Sequence, residues 1–198
     1  MRQMEEKILR EGTVLPGGIL KVGSFLNQQI DTAFLREIGR EIARLYAAER
    51  VNKILTIEAS GIAIAAAAAM EMGVPMLFAK KHRTSNVDGN VFSATAHSFT
   101  HGTDYTIMVS RDYLLPADRV LLVDDFLANG AALRGLIALV DAAGATLVGA
   151  AVAIEKRFQN GGDRLRTQGI RVESLACIRS MENGNLVFDT VSRAGDPA

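Results

Sequence analysis

"LLVDDFLANGAAL", residues 121–133, decides the fold of this chain. With Val120 in front, its apolar run is continuous rather than alternating. Such a run suits a parallel strand covered on both faces, because a strand with one wet face alternates. The run ends in Asp124 and Asp125 and passes into small residues. The stretch "GAALRGLIALVDAAG" then reads as a helix closed by Gly144. An apolar strand, a short loop and a helix in succession are the repeating unit of an α/β protein with a mostly parallel sheet.

The same unit recurs on both sides. "KILTIEASG" is an apolar strand ending in Glu58, Ala59, Ser60 and Gly61. An alanine-rich helix follows to Met72, with Gly73 as its C-cap, and "VPMLFAKK" is a short strand with a basic end. On the other side, "ATLVGAAVAIEK" is an apolar strand ending in Glu155 and Lys156. "GGDRLRTQG" reads as a short helix, and "IRVESLACIRSMENGNLVF" as two strands joined at "ENGN". Ahead of these units Asp31 caps a helix whose Leu35, Ile38, Ile42 and Leu45 form one stripe. The preceding "ILKVGSFLNQQ" mixes apolar residues with amides and reads as a lid or arm rather than a regular core element. From residue 82 to 103 apolar density falls, which predicts a mobile loop flanked by short strands. The tail "SRAGDPA" reads as frayed.

Ligands of open parallel sheets bind beyond the carboxyl ends of the strands. Charge stands at three such ends: Glu58, Asp124 with Asp125, and Glu155 with Lys156. In "LANGAA" the small side chains let a ligand approach the backbone, and Gly130 tolerates conformations other residues resist. Backbone N–H groups there suit an anion at a helix N-terminus; the same residues also suit a plain tight turn with a helix cap. Carboxylates beside a phosphate would repel it, unless the ligand is a sugar phosphate whose hydroxyls they accept. A carboxylate can also engage Mg²⁺ directly or through its waters. Neighbouring strand residues point to opposite faces, so one aspartate alternatively serves as structure. GxxxxGK[ST] is absent, and the loop is not a dinucleotide fingerprint.

Composition narrows the field. The chain has 198 residues, enough for one domain, with 48% hydrophobic and 22% charged residues. Lys+Arg and Asp+Glu are both 22, so a neutral total gives no support for general nucleic-acid affinity. The single cysteine, Cys177, makes no internal disulfide and reads as a small buried hydrophobe. The charged start "MRQMEEKILREG" lacks an apolar signal region, and the apolar run near residues 61–75 is broken by Glu71 and Gly73. A soluble cytoplasmic protein with no membrane partner is expected.

The strand with two acidic residues and a small-residue loop opening a helix resembles the phosphoribosyl diphosphate (PRPP) motif of type I phosphoribosyltransferases. The usual loop is richer in threonine; Ala128, Asn129, Ala131 and Ala132 replace hydroxyl residues here. With "KVGSFLNQQID", "IEASGIA", "LLVDDFLANG" and "AIEKRFQ" in order, the chain resembles the xanthine-using bacterial branch of that family. The resemblance implies a mostly parallel twisted sheet flanked by helices, in one domain over residues 1–198. Residues 1–30 and roughly 156–190 would form a base-binding hood. It implies a purine-salvage reaction, transfer of 5-phosphoribosyl from PRPP to xanthine, giving xanthosine monophosphate and pyrophosphate, with Mg²⁺.

Carried over by position, Asp124 and Asp125 would face the ribose hydroxyls as the catalytic pair. Ala128, Asn129, Gly130, Ala131 and Ala132 would hold the 5′-phosphate. Glu58, Ala59, Ser60, Gly61, Lys80 and Lys81 would receive pyrophosphate, the lysines across a homodimer interface. Leu20, Asn27 and Lys156 would bind the base; apart from the resemblance, Phe126 or Phe158 is expected to stack on its ring. Residues 81–100 would be a flexible closing loop. No general base is assigned; His82, His97 and His101 lie in or near that loop. The alternatives are a guanine or hypoxanthine enzyme, and a PRPP-sensing purine regulator without catalysis. A regulator of that kind would need an N-terminal DNA-binding module, for which the residues before the first strong helix are too few.

Overall fold

The computed structural model describes residues 1–81, 89–98, 103–182 and 184–189. Helix α1 (Arg2–Glu11) leads into a small antiparallel hairpin of β1 (Thr13–Leu15) and β2 (Ile19–Lys21), turned by Gly17 and Gly18 at φ +81° and +72°. A π-helical turn, Gly23–Asn27, precedes α2 (Thr32–Leu45), whose N-cap Asp31 accepts from the Phe34 amide at 3.1 Å. Then come β3 (Lys53–Ile57), α3 (Gly61–Met72) and β4 (Met76–Ala79), and a hairpin of β5 (Val91–Ser98) and β6 (Thr103–Ser110). The quoted stretch forms β7 (Arg119–Leu127) and α4 (Ala131–Ala142), followed by β8 (Thr146–Lys156), α5 (Gly161–Thr167), β9 (Val172–Glu182) and β10 (Asn185–Phe188).

The main sheet has the order β10-β9-β8-β7-β3-β4. β3, β4, β7, β8 and β9 run parallel, and β10 returns antiparallel along β9. Alternation across the pleat splits the apolar runs between two cores. Leu121, Val123, Ala151 and Ala153 pack with α1, α2 and α3 through Ile8, Ile42 and Ile64. Leu122, Val152 and Ala150 pack with α4 through Leu136 and Leu139. The unbroken hydrophobicity of β7 thus follows from helices on both faces. Chain order reverses between β3 and β7: β3 passes to β4 on one side, and β7 passes to β8 on the other. The crevice between their carboxyl ends is where this topology places a ligand.

One expectation is corrected. The stretch read as a lid or arm is core: Val22, Phe25 and Leu26 are each only 1% exposed and join the same cluster as Leu175 and Ile178 of β9. Its amides misled, because a π-helical turn sends its apolar residues inward without helical or strand spacing. The strands expected to flank the loop are present: β5, within the expected closing loop of residues 81–100, pairs along its whole length with β6, from Val91↔Ser110 to Ser98↔Thr103. Residues 82–88 and 99–102 lie outside the described residues, as do His82, His101, the His97 side chain and the tail.

Candidate active site

The carboxyl ends of β3 and β7 meet at Gly61. A Cβ there would lie 2.2 Å from the Thr56 hydroxyl and 2.8 Å from Asp124 Oδ1, so only glycine lets α3 start so close to β7. The Thr56 hydroxyl is buried with no hydrogen-bond partner among the described residues. Asp124 and Asp125 are 4% and 7% exposed. Asp124 Oδ1 accepts from the Asp125 amide and Asp125 Oδ1 from the Phe126 amide, both at 2.9 Å. Asp125 Oδ2 accepts from Asn27 Nδ2 at 3.2 Å. Burial, and then the adjacent Asp125 charge, hold the Asp124 carboxyl well above the usual carboxylate range, against a smaller opposing pull from Lys81.

Glu58 closes the β3 end. Its Oε1 accepts from the Lys81 amide at 2.6 Å, which ties the β3 terminus to that of β4. Lys80 exchanges backbone hydrogen bonds with Met108, and Lys81 Nζ lies 5.4 Å from the Tyr105 ring centroid. Ala59, Ser60 and Gly61 then lead into α3, whose first amides face the crevice end of the sheet.

The small-residue loop leaves β7 and starts α4 at Gly130, φ +83°. Asn129 Oδ1 accepts from the Ala131 amide at 2.9 Å, so one amide of the loop is already engaged by a side chain. The loop is braced from behind by α5: the Gly161 amide donates to the Ala128 carbonyl at 3.1 Å. A Cβ on Gly161 would sit 2.2 Å from that oxygen. One residue went unnoticed in the sequence: Arg134 Nη1 donates to the Asn129 carbonyl at 2.8 Å and lies 3.2 Å from where a Gly130 Cβ would be. Its place four residues after Gly130 was the available signal, since helical side chains lean toward the N-terminus.

On the hood side, Leu20 and Asn27 line one cavity of about 430 Å³ together with Lys21, Ser24 and Gln28. Lys156 lies apart from it. Its Nζ donates to the Gly18 carbonyl at 2.9 Å and stands 5.3 Å from the Phe126 ring, and burial lowers its pKa. Phe158 packs against Gly18, 3.6 Å from its Cβ position. The structure therefore brings Asn27 to Asp125 and Lys156 to Phe126, while Leu20 turns into the neighbouring cavity.

The third charged strand end divides. Glu155 does not face a ligand: it is fully buried, accepts from Arg166 at 2.9 and 2.6 Å, and bonds the Ser174 hydroxyl. A buried carboxylate demands such partners, and α5 supplies the arginine. Cys177 is 2% exposed, and burial pushes its thiol up to about 12, as the packing reading expects.

An open parallel sheet with carboxylates and a small-residue loop at its switch point defines an α/β protein of the crevice-binding class. Residues 27–183 match the phosphoribosyl transferase domain family, and the chain belongs to that family. It is 50% identical over 188 residues to the xanthine phosphoribosyltransferase of Bacillus cereus strain ATCC 10987, covering 95% of each chain. The xanthine phosphoribosyltransferase of Bacillus mycoides is 49% identical over the same length and coverage. Among solved structures, the APRTase from Giardia lamblia complexed with 9-deazaadenine superposes with a TM-score of 0.75 at 23% identity, over 89% of this chain and 98% of that one. Adenine phosphoribosyltransferase from Rhodothermus marinus gives 0.72 at 22%, over 90% and 100%. The fold is thus that of the phosphoribosyltransferases, as the motif implied.

Proposed function

We propose that this chain is a purine-salvage pentosyltransferase that moves the 5-phosphoribosyl group of PRPP onto xanthine, releasing pyrophosphate and xanthosine monophosphate. The observation that carries this reading is the placement of Asp124 and Asp125 between the Gly61 helix start and the 128–132 loop. The identity to Bacillus enzymes of that name supports xanthine as the base.

In this reading the amides of Ala128, Asn129, Gly130, Ala131 and Ala132 hold the 5′-phosphate, and Asp124 and Asp125 accept from the ribose hydroxyls. Those carboxylates also stabilise positive charge as it builds on the sugar ring. Ala59, Ser60 and Gly61 offer amides to pyrophosphate, Glu58 fixes Lys81, and Lys80 and Lys81 supply charge. Among the described residues no group of three or more His, Cys, Asp and Glu side chains is arranged to hold a metal. A pair of carboxylates fits a cation that arrives with most of its oxygens from PRPP. Asp124 and Asp125 would hold Mg²⁺ directly or through its waters, and the ion would supply positive charge for the pyrophosphate leaving group.

Residues 1–30 and roughly 156–190 act as the base-binding hood. Lys156 exchanges the Gly18 carbonyl for the purine 6-oxo group. Asn27 reads the 2-position edge with donor and acceptor. Leu20 is an apolar wall, and Phe126 or Phe158 stacks on the ring. A homodimer belongs to the same proposal. It is supported by the edge strand β4 and by its exposed apolar Phe78, just before the Lys80–Lys81 end. A cytoplasmic site of action is part of it too; among the described residues no helix is long and apolar enough to cross a membrane.

Incubation with PRPP, Mg²⁺ and each of xanthine, guanine, hypoxanthine and adenine tests the proposal, with nucleotide products read by chromatography. Xanthosine monophosphate should dominate, and absence of product with every base would favour a non-catalytic PRPP sensor. Lys156→Ala should raise KM for xanthine about tenfold, the worth of a charged hydrogen bond, and leave KM for PRPP unchanged. Equal loss toward both substrates would make Lys156 structural.

A further inference from the structure

Lys81 follows the carboxyl end of β4 and is held at both its backbone and its head. Its amide donates to Glu58 Oε1 at 2.6 Å, and its Nζ lies over the Tyr105 ring, 5.4 Å from the centroid. The second contact follows from register. The antiparallel bridge Lys80↔Met108 sets Lys81 alongside Ile107, so Tyr105 is its diagonal neighbour on the same face of β6. Ile107 and Val109 on that face are buried, and Tyr105 packs against the same core from its edge. The ring is thus fixed by β6 and half-buried, with one face left to the ammonium. The pair stands on the crevice side: Lys81 pulls on the Asp124 carboxyl, and Asp124, after burial, raises the Tyr105 hydroxyl. Among the described residues no carboxylate forms an ion pair with Lys81, so its charge is left for an anion.

We infer that Tyr105 is a positioning residue for the pyrophosphate site, whose ring holds the Lys81 ammonium toward the Asp124 crevice. The inference rests on the functional reading above and adds to it the residue that orients one of its cations. A free lysine spreads its charge over many rotamers, and an anion must order them on binding. An aromatic face attracts the ammonium through the ring quadrupole and leaves its charge intact, where a carboxylate partner would neutralise it. Lys81 is therefore ordered and still fully charged when pyrophosphate or PRPP arrives. The ring is the working part of Tyr105 in this contact, and its hydroxyl is not required.

The test is calorimetric titration of the full chain with pyrophosphate and Mg²⁺, beside KM for PRPP and xanthine. It compares wild type, Tyr105→Phe, Tyr105→Leu, Lys81→Gln, and Lys81→Gln combined with Tyr105→Leu. Phenylalanine keeps the ring face; leucine keeps apolar bulk without it. Tyr105→Leu should weaken pyrophosphate binding and raise KM for PRPP about threefold, the size of a partly exposed cation–π contact, and KM for xanthine should not move. Tyr105→Phe should stay within about 1.5-fold of wild type. In the Lys81→Gln background Tyr105→Leu should cause no further loss, because its effect runs through that ammonium. Leucine binding as well as wild type, or phenylalanine losing as much as leucine, would overturn the inference. So would an equal leucine loss with and without Lys81, which would make Tyr105 structural only. A wild type that binds pyrophosphate but makes no nucleotide would refute the catalytic reading, and the binding cycle would still decide the role of Tyr105. A wild type that does not bind pyrophosphate would overturn both.

Discussion

β7 and β8 run side by side, leave the sheet at the same edge and both end in acid, yet their carboxylates meet opposite fates. Glu155 is enclosed by Arg166 and Ser174, with every oxygen occupied by its own fold. Asp124 and Asp125 are nearly as buried, but no basic side chain bonds to either among the described residues; they hold backbone amides and the Asn27 side chain. Acid at a strand end becomes structure when a cation of the same fold reaches it. It becomes a site when only weaker donors do, because a ligand can displace those.

The largest expected effect breaks the β8 side. Arg166→Ala leaves Glu155 buried without its counter-charge and should cost about 3 kcal/mol in urea unfolding. It should also lower kcat/KM for PRPP, because α5 braces the Ala128 carbonyl through Gly161. Unfolding like that of wild type would mean the pair is not fixed in solution.

Asp125→Asn tests the β7 side with a smaller effect: kcat/KM for PRPP should fall about tenfold or more, with little change in unfolding midpoint. An unchanged kcat/KM would sink the ribose role. The smallest effect sharpens the contrast. Asp124 has its pKa raised by folding, so the folded state holds a proton the unfolded chain has lost. Stability is therefore full below the unfolded carboxyl range and falls as pH rises through the folded pKa. Asp124→Asn removes that penalty. It should raise Tm by roughly 2–4 °C at alkaline pH, with the gain fading in acid, while activity drops. A gain independent of pH would assign the cost to packing instead of charge.

These differences mark what was legible in the chain. The parallel strands were readable because two covered faces leave an unbroken apolar run, as in Leu121, Leu122 and Val123. The 128–132 loop was readable because strand, loop and helix start are contiguous, so local chemistry suffices. The base side was not readable from spacing: Gly18, Asn27, Phe126 and Lys156 come from three distant segments and meet only through the sheet order. The family resemblance supplied Asn27 and Lys156, and the fold adds the Gly18 carbonyl and shows which neighbours each one has. The core position of Phe25 and Leu26 was hidden because a π-helical turn has no strong period.

The amino-acid sequence by itself determined the parallel α/β core, the acidic end of β7 and the small loop after it, because each follows from local periodicity and side-chain size. Tertiary structure decided which strand-end charges are spent and which are left for a ligand. Glu155 and Asp125 are the same chemistry at adjacent strand ends; one meets an arginine from α5 and the other an amide from the N-terminal turn. Pairing between segments that far apart depends on how the sheet is ordered, and no local pattern encodes that.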